Sequence, residues 1–278
     1  MSATFYPPAR PLSVGEVLDL AFRIFKVTLI RALPYGIGAV IGQQLSSLYK
    51  FGGVASGSGH TLLDNPILGG VAFVVGVGLA LLAWASMLLC QRAIVEHRPT
   101  SLRAELGAAV RRMPTFVAAT LLYFVVVGGD FALQWILPAA MRIEARVLFL
   151  VLSLCLAVLL SCVWPAVLFA GAGPLAALRQ STRLVWGNWW RMAVIYTVGG
   201  VIVLVIAILL GALIAAIISW LGVGLPVMTS VVYAEVANAL GAVMAPFAGA
   251  LLLATFGDLR VRKEGTDLQQ RIAGLAAE

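Results

Sequence analysis

Two carboxylates, Asp130 and Glu235, stand inside long apolar runs. A charged side chain at mid-bilayer costs about 2.5–3.5 kcal/mol on insertion scales, so such residues usually face a bundle interior or water. Gln134 follows Asp130 by four residues, and Asn238 follows Glu235 by three. Either spacing puts the pair on one helix face. With Gln43 and Gln44 they could line a polar pocket open to the extracytoplasmic side, binding a lipid headgroup or a cation. They could equally hydrogen-bond one another or reach water at the membrane surface.

General acid–base chemistry would need paired groups, and Asp130 with Glu235 is the sole intramembrane candidate. His60 lies beside the Gly/Ser-rich stretch Gly52 to Gly59, and His97 lies beside Arg98. Neither has a triad or metal partner nearby in sequence. Cys90, Cys155 and Cys162 form no CxxC pair and no Cys/His cluster, so they read as small apolar packing residues. No GxxxxGK[ST] and no GxGxxG occurs. The residues lead to no metal, no cofactor and no enzymatic activity.

The elements that must position these residues follow from composition. The chain has 278 residues, 62% hydrophobic and 11% charged, with mean hydropathy +1.01. A soluble domain carries about 25% charged residues, so water could not solvate a surface built from this chain. Lipid could. Spans must then be helices or a closed barrel, because unpaired backbone groups are not tolerated in hydrocarbon. Barrel strands alternate apolar and polar residues. The unbroken apolar run from Met192 to Leu221 excludes that.

A helical span needs ~20 mostly apolar residues. Six candidates run from about Ala32 to Phe51, Ile67 to Ile94, Thr115 to Ala139, Arg146 to Gly171, Arg191 to Leu221, and Met228 to Gly257. No signal peptide precedes them. Of the 19 Lys and Arg, all but Lys50, Arg142 and Arg146 fall on one side of these spans. The positive-inside rule then places both termini in the cytoplasm of a bacterial inner membrane.

Three amphipathic segments lie on the basic side. In the first, Ser13 to Arg31, Ser13 and Glu16 form a capping box. Glu16, Asp19, Arg23 and Lys26 make a polar stripe, opposite a face of Val17, Leu18, Ala21, Phe22, Phe25 and Leu29. The second, Ser101 to Met113, sets Leu102, Leu106 and Ala109 against Arg103 and Arg111. The third opens at Pro174, a good first helical residue, and sets Leu175, Leu178 and Val185 against Arg179 and Arg183. Such helices lie flat in the interface, and arginines there are worth about 1 kcal/mol each toward anionic lipid. Arg260 and Arg262, after the last span, add to the candidate headgroup contacts.

The order of interfacial helix, span, span recurs three times within a single membrane domain. The units run about 11–98, 99–172 and 173–265, with a tail at 266–278. Leu18 and Arg23, Leu106 and Arg111, and Leu178 and Arg183 repeat one five-residue step. The ends Gln91-Arg-Ala-Ile-Val-Glu and Asp258-Leu-Arg-Val-Arg-Lys are also alike. Small residues recur every four at Ala237, Gly241, Ala245 and Gly249, and at Gly38 and Gly42, which permits close helix approach. Pro246 removes one ladder donor and should kink the sixth span.

Four stretches together carry a resemblance. They are Pro11-Leu-Ser-Val-Gly-Glu-Val-Leu-Asp-Leu-Ala-Phe-Arg; Gly173-Pro-Leu-Ala-Ala-Leu-Arg-Gln-Ser-Thr-Arg-Leu-Val-Trp-Gly-Asn-Trp-Trp; Gly257-Asp-Leu-Arg-Val-Arg-Lys-Glu-Gly-Thr-Asp-Leu; and, more weakly, Pro99-Thr-Ser-Leu-Arg-Ala-Glu-Leu. The chain resembles, over nearly its whole length, the membrane domain that precedes the catalytic domain in some bacterial glycerophosphoryl diester phosphodiesterases. The tail motif Asp258-Leu-Arg-Val-Arg-Lys-Glu-Gly is the most specific part. The resemblance implies a fold and a compartment. In those enzymes the chemistry belongs to a separate metal-dependent barrel. No position here matches its catalytic residues, and no such barrel is expected after the last span.

The functional expectation is a non-enzymatic membrane protein that organises lipids or partner proteins through its basic interfacial helices. A homo-oligomer or another membrane protein is a possible partner; nucleic acid is not expected, because the basic residues are dispersed at span ends. The alternative is a transporter or channel for a small or lipid-like substrate, using the polar cluster in the outer half of the bundle.

Overall fold

The computed structural model describes residues 6–55, 66–133, 142–220 and 226–265. Its helices are α1 (Val14–Ala55), α2 (Pro66–Val95), α3 (Leu102–Leu133), α4 (Arg142–Leu159), α5 (Val163–Ala170), α6 (Pro174–Val185), α7 (Trp189–Trp220) and α8 (Pro226–Glu264). No strand occurs among the described residues. Six stretches are long and apolar enough to cross a membrane: Val14–Leu45, Ile67–Val95, Leu102–Gly129, Arg146–Ala170, Trp189–Ile217 and Leu240–Lys263.

Two of the three amphipathic segments are not separate helices. Val14 to Arg31 runs on without a break into the first span as α1, and Leu102 to Met113 runs on into the third as α3. Pro34 and Pro114 lie inside these helices and do not end them. Only the third segment stands alone, as α6. There Gly187 adopts φ 86°, a left-handed conformation that glycine reaches without steric cost. The first two segments have no glycine at the corresponding place.

The capping box of α1 forms as its sequence demands. The Ser13 N–H donates to Glu16 Oε2 at 2.6 Å, and the Glu16 N–H donates to Ser13 Oγ at 3.3 Å. The apolar face of this segment packs on protein. Val17, Leu20, Ala21 and Ile24 are buried in one cluster with Met192 and Ile195 of α7 and Leu253, Phe256 and Leu259 of α8. Phe22 leaves that face and packs its ring 4.9 Å from Phe247.

The fourth span is also interrupted, between α4 and α5. Pro165 has no N–H to donate to the Ser161 carbonyl, four residues back. Ser181 of α6 bridges the gap. Its hydroxyl donates to the Leu159 carbonyl at 2.9 Å and accepts from the Cys162 N–H at 3.1 Å. A backbone break at membrane depth is tolerable when protein satisfies its polar groups in this way.

α1 makes its most extensive contacts with α2 and α8. Helices in lipid gain little from hydrophobic burial against each other, so close packing must hold them. Pro246 leaves the Ala242 carbonyl without its helical donor, and Gly36 lies against that oxygen: a Cβ there would fall 2.2 Å away. At Gly42 a Cβ would fall 2.6 Å from the Gly76 carbonyl, and at Gly249 2.5 Å from Gln91 Oε1. The small-residue stripe of the sixth span is therefore used unevenly. Gly249 meets α2, whereas a Cβ on Gly241 would touch nothing within 4 Å.

The packed core lies toward one end of the bundle, where α1 begins and α8 ends; most of the described Lys and Arg lie there too. Two further clusters join it, one around Leu88, Phe116, Val163 and Leu168, the other around Ala32, Tyr35, Met87 and Cys90. Toward the opposite end, α7 exposes Leu204, Ile208, Leu209, Leu213 and Ile217.

Candidate functional site

The polar candidates within the spans are distributed as follows. Gln43 on α1 is exposed, and Gln44 and Asn238 are half-buried. Asp130 lies on α3 and Glu235 on α8; their side chains, and Gln134, fall outside the described residues, as does His60.

At the basic end the structure assembles a centre that spacing alone did not reveal. Asp258 is 1% exposed, near the end of α8. Its Oδ1 accepts from the Leu12 N–H at 2.7 Å. Its Oδ2 accepts from Arg191 Nη1 at 2.8 Å and from Arg262 Nε at 3.0 Å. Both arginines also donate to the Leu12 carbonyl. One carboxylate thus ties together the chain before α1, the first turn of α7 and the last turns of α8. Arginine suits this role because its planar fork donates in several fixed directions. Tyr6 completes the clasp. Its hydroxyl donates to the Leu253 carbonyl at 3.4 Å, and its ring lies where a Cβ on Gly257 would come within 2.8 Å. Burial pushes the Tyr6 phenol well above its ordinary range, so it remains a neutral donor.

Asp258 was visible in sequence as the head of the tail motif. Leu12 and Arg191 were not marked as its partners, because they are 246 and 67 residues away. A carboxylate at the end of an apolar run, with a run of arginines after it, was the available signal.

Further buried polar groups lie at the same end. Gln91 Nε2 donates to the Pro246 carbonyl at 2.7 Å and to Thr28 Oγ1 at 3.4 Å, joining α2, α8 and α1. The Tyr35 hydroxyl donates to Glu105, joining α1 to the first turn of α3. Arg92 pairs with Glu96 at 2.7 Å, donates to the Phe169 carbonyl at 3.1 Å, and lies over the Phe169 ring at 4.9 Å. Apart from the i,i+4 pair Arg92–Glu96, these contacts cross between helices and give partners to groups that would be costly in hydrocarbon.

The candidate headgroup contacts fall into two sets. Arg23, Lys26, Arg111, Arg179 and Arg183 are exposed on α1, α3 and α6. Arg262 is drawn into the clasp, and Arg260 lies over the Phe256 ring at 5.8 Å. Trp186 and Trp190 are exposed beside α6, while Trp189 donates from Nε1 to the Cys155 carbonyl at 3.2 Å. They line, with Arg191, a groove of about 680 Å³ against α4.

Among the described residues no group of three His, Cys, Asp or Glu is placed to hold a metal. The three cysteines are free thiols. Asp258 is neutralised by two arginines, and Glu105 accepts from the Tyr35 hydroxyl. That arrangement suits holding helices together.

Six apolar helical spans define a multi-pass helical membrane protein. Comparison with family models, with curated proteins and with solved structures finds no match for the chain.

Proposed function

We propose that the chain is a non-enzymatic protein of a bacterial inner membrane, with both termini cytoplasmic, that organises anionic lipid or partner proteins at the cytoplasmic face. The observation that carries this is the division of labour among the basic residues. Arg191 and Arg262 are spent on an internal carboxylate, whereas Arg23, Lys26, Arg111, Arg179 and Arg183 lie exposed around the same packed end. An exposed cation beside an anionic leaflet is worth about 1 kcal/mol.

The proposal includes the three-unit organisation. What supports it is a shared burial pattern: Leu18, Leu106 and Leu178 are each half-buried, and Arg23, Arg111 and Arg183 are each exposed. It also includes kinship with the phosphodiesterase membrane domain. Support comes from the clasp, where Leu12 and Asp258 bring together two of the four stretches that carry the resemblance, and Arg191 directly follows a third.

Electron spin resonance of the reconstituted protein with spin-labelled lipids tests the proposal. Phosphatidylglycerol should be motionally restricted by the protein more than phosphatidylcholine. Replacing Arg23, Lys26, Arg179 and Arg183 together by Gln should shrink the difference. Equal restriction of the two lipids by the unaltered protein would sink the lipid-organising role.

A further inference from the structure

We infer that the α1–α2 face holds a discrete site for one anionic phospholipid, with its phosphate in a cleft formed by Arg31, His97 and Arg98. This rests on the lipid-organising role proposed above and gives it a defined address.

The cleft has a volume of about 370 Å³ and is closed on its sides by Val27 and Ile94. Arg31 is held by Thr100, to whose hydroxyl it donates. Arg98 lies 3.0 Å from Glu96. Glu96 is already neutralised by Arg92 at 2.7 Å. The cleft therefore carries a net positive charge from Arg31 and Arg98, and His97 lines it with them. An anion is the complementary occupant.

The backbone there is fixed. The Arg98 N–H donates to the Ala93 carbonyl at 2.8 Å, and the His97 N–H to the Ile94 carbonyl at 3.1 Å. This pair of bonds is the Schellman ending of α2, in which glycine normally occupies the left-handed position. Here His97 does, at φ 54°. A side chain with a Cβ is uncommon in that conformation. Histidine is among the side chains that adopt it, and the fixed turn sets the imidazole in the lining of the cleft.

A second cavity identifies the anion as a lipid. A groove of about 270 Å³ continues along the same face of α1, past Pro34, Gly38 and Ile41, and is closed by Leu79 and Leu82 of α2 and Leu106 of α3. Its lining is apolar. From Arg31 to Ile41 the helix rises about 15 Å, half the roughly 30 Å hydrocarbon thickness. A charged cleft followed along the same helix by an apolar groove, together one leaflet deep, suits the headgroup and acyl chain of a phospholipid. Beside the cleft Ile30 is 87% exposed, so its mouth faces hydrocarbon. A free phosphate would satisfy the cleft and leave the groove unused.

Native mass spectrometry of the detergent-solubilised full chain tests this. The probes are dioleoyl phosphatidylglycerol, dihexanoyl phosphatidylglycerol, dioleoyl phosphatidylcholine and inorganic phosphate. Two arginines at an anionic headgroup predict a loss of about thirtyfold in dioleoyl phosphatidylglycerol affinity for Arg31→Gln/Arg98→Gln. The charge-matched pair Arg142→Gln/Arg146→Gln, on the opposite side of the spans and outside the candidate headgroup contacts, should change it less than about twofold. Arg31→Lys/Arg98→Lys, which keeps the charges, should recover most of the binding and controls for misfolding. Gly38→Leu, which fills the groove, should weaken the dioleoyl lipid and spare the dihexanoyl one. Equal losses in the two Gln pairs would overturn the cleft while leaving the diffuse lipid-organising role intact. No loss in either pair would overturn both. Competition by millimolar inorganic phosphate as effective as by the lipid would overturn the assignment to a lipid.

Discussion

At the scale of residues, the clasp concentrates the greatest energetic risk in Asp258. Removing one partner of a buried ion pair leaves uncompensated charge and costs about 3–5 kcal/mol. Asp258→Ala strands Arg191, which is 16% exposed at its side chain, together with the Leu12 N–H. It should lower unfolding stability in mixed micelles by that amount. Asp258→Asn keeps an acceptor for Leu12 and should lose less. Arg191→Lys should resemble the loss of a hydrogen bond more than that of a charge, because an ammonium cannot reach both Asp258 and the Leu12 carbonyl as the fork does. An Asp258→Ala protein that unfolds like the unaltered one would show that the clasp does not hold the helices. Much of this was half-legible in sequence. Asp258 headed the most specific motif, and Arg262, four residues on, shares its helix face. Arg191 and Leu12 could not be paired with it, because nothing local to a sequence records a contact across 67 or 246 residues.

At the scale of elements, glycine spacing marked the right helices and missed which positions matter. A four-residue stripe defines a face but not where a neighbour crosses it. Gly36, outside the stripes, makes the closest approach, because Pro246 frees the Ala242 carbonyl opposite. Gly36→Ala should therefore destabilise the α1–α8 contact strongly, by about 1–3 kcal/mol as for other overpacked positions. Gly241→Ala, on the stripe yet facing open space, should be neutral or slightly stabilising through helix propensity. Thermal unfolding of the two variants in one detergent gives the comparison, and equal shifts would refute the crossing geometry. Ser181→Ala belongs to the same scale. It removes the bridge between Leu159 and Cys162, leaves two backbone groups unpaired at the α4–α5 break, and should cost about 1–3 kcal/mol. The amphipathic segments teach a related lesson. Their faces were readable from periodicity, whereas their ends depended on one glycine, Gly187, which the first two segments lack.

At the scale of the whole molecule, six spans were legible because hydropathy is a local property that lipid converts directly into structure. The distribution of packing was not. The sequence put its polar interest in the outer half, around Asp130 and Glu235. Several of the described buried polar groups, among them Thr28, Gln91, Glu105 and Asp258, gather at the basic end, while Ser153 is buried farther along the bundle and bonds the Val127 carbonyl. The two facts are compatible in a bundle fastened at one end, whose opposite end presents apolar helix surface such as Leu209, 64% exposed, to its surroundings. The proposed orientation then puts the fastened end in the cytoplasmic leaflet, and fusions can test it. The count of Lys and Arg on the two sides is lopsided, and charge asymmetry of that kind sets topology. Green fluorescent protein joined after Glu278 should fluoresce, and alkaline phosphatase inserted between Gly57 and Gly59 should be active. Moving the charge should move the chain. Replacing Arg10, Arg23, Lys26 and Arg31 by Gln and adding arginines beside Lys50 should produce a fraction with the first hairpin inverted, seen as phosphatase activity lost at that loop. A fluorescent loop insertion with an inactive phosphatase in the unaltered protein would reverse the orientation and with it the leaflet assigned to the Arg31–His97–Arg98 cleft.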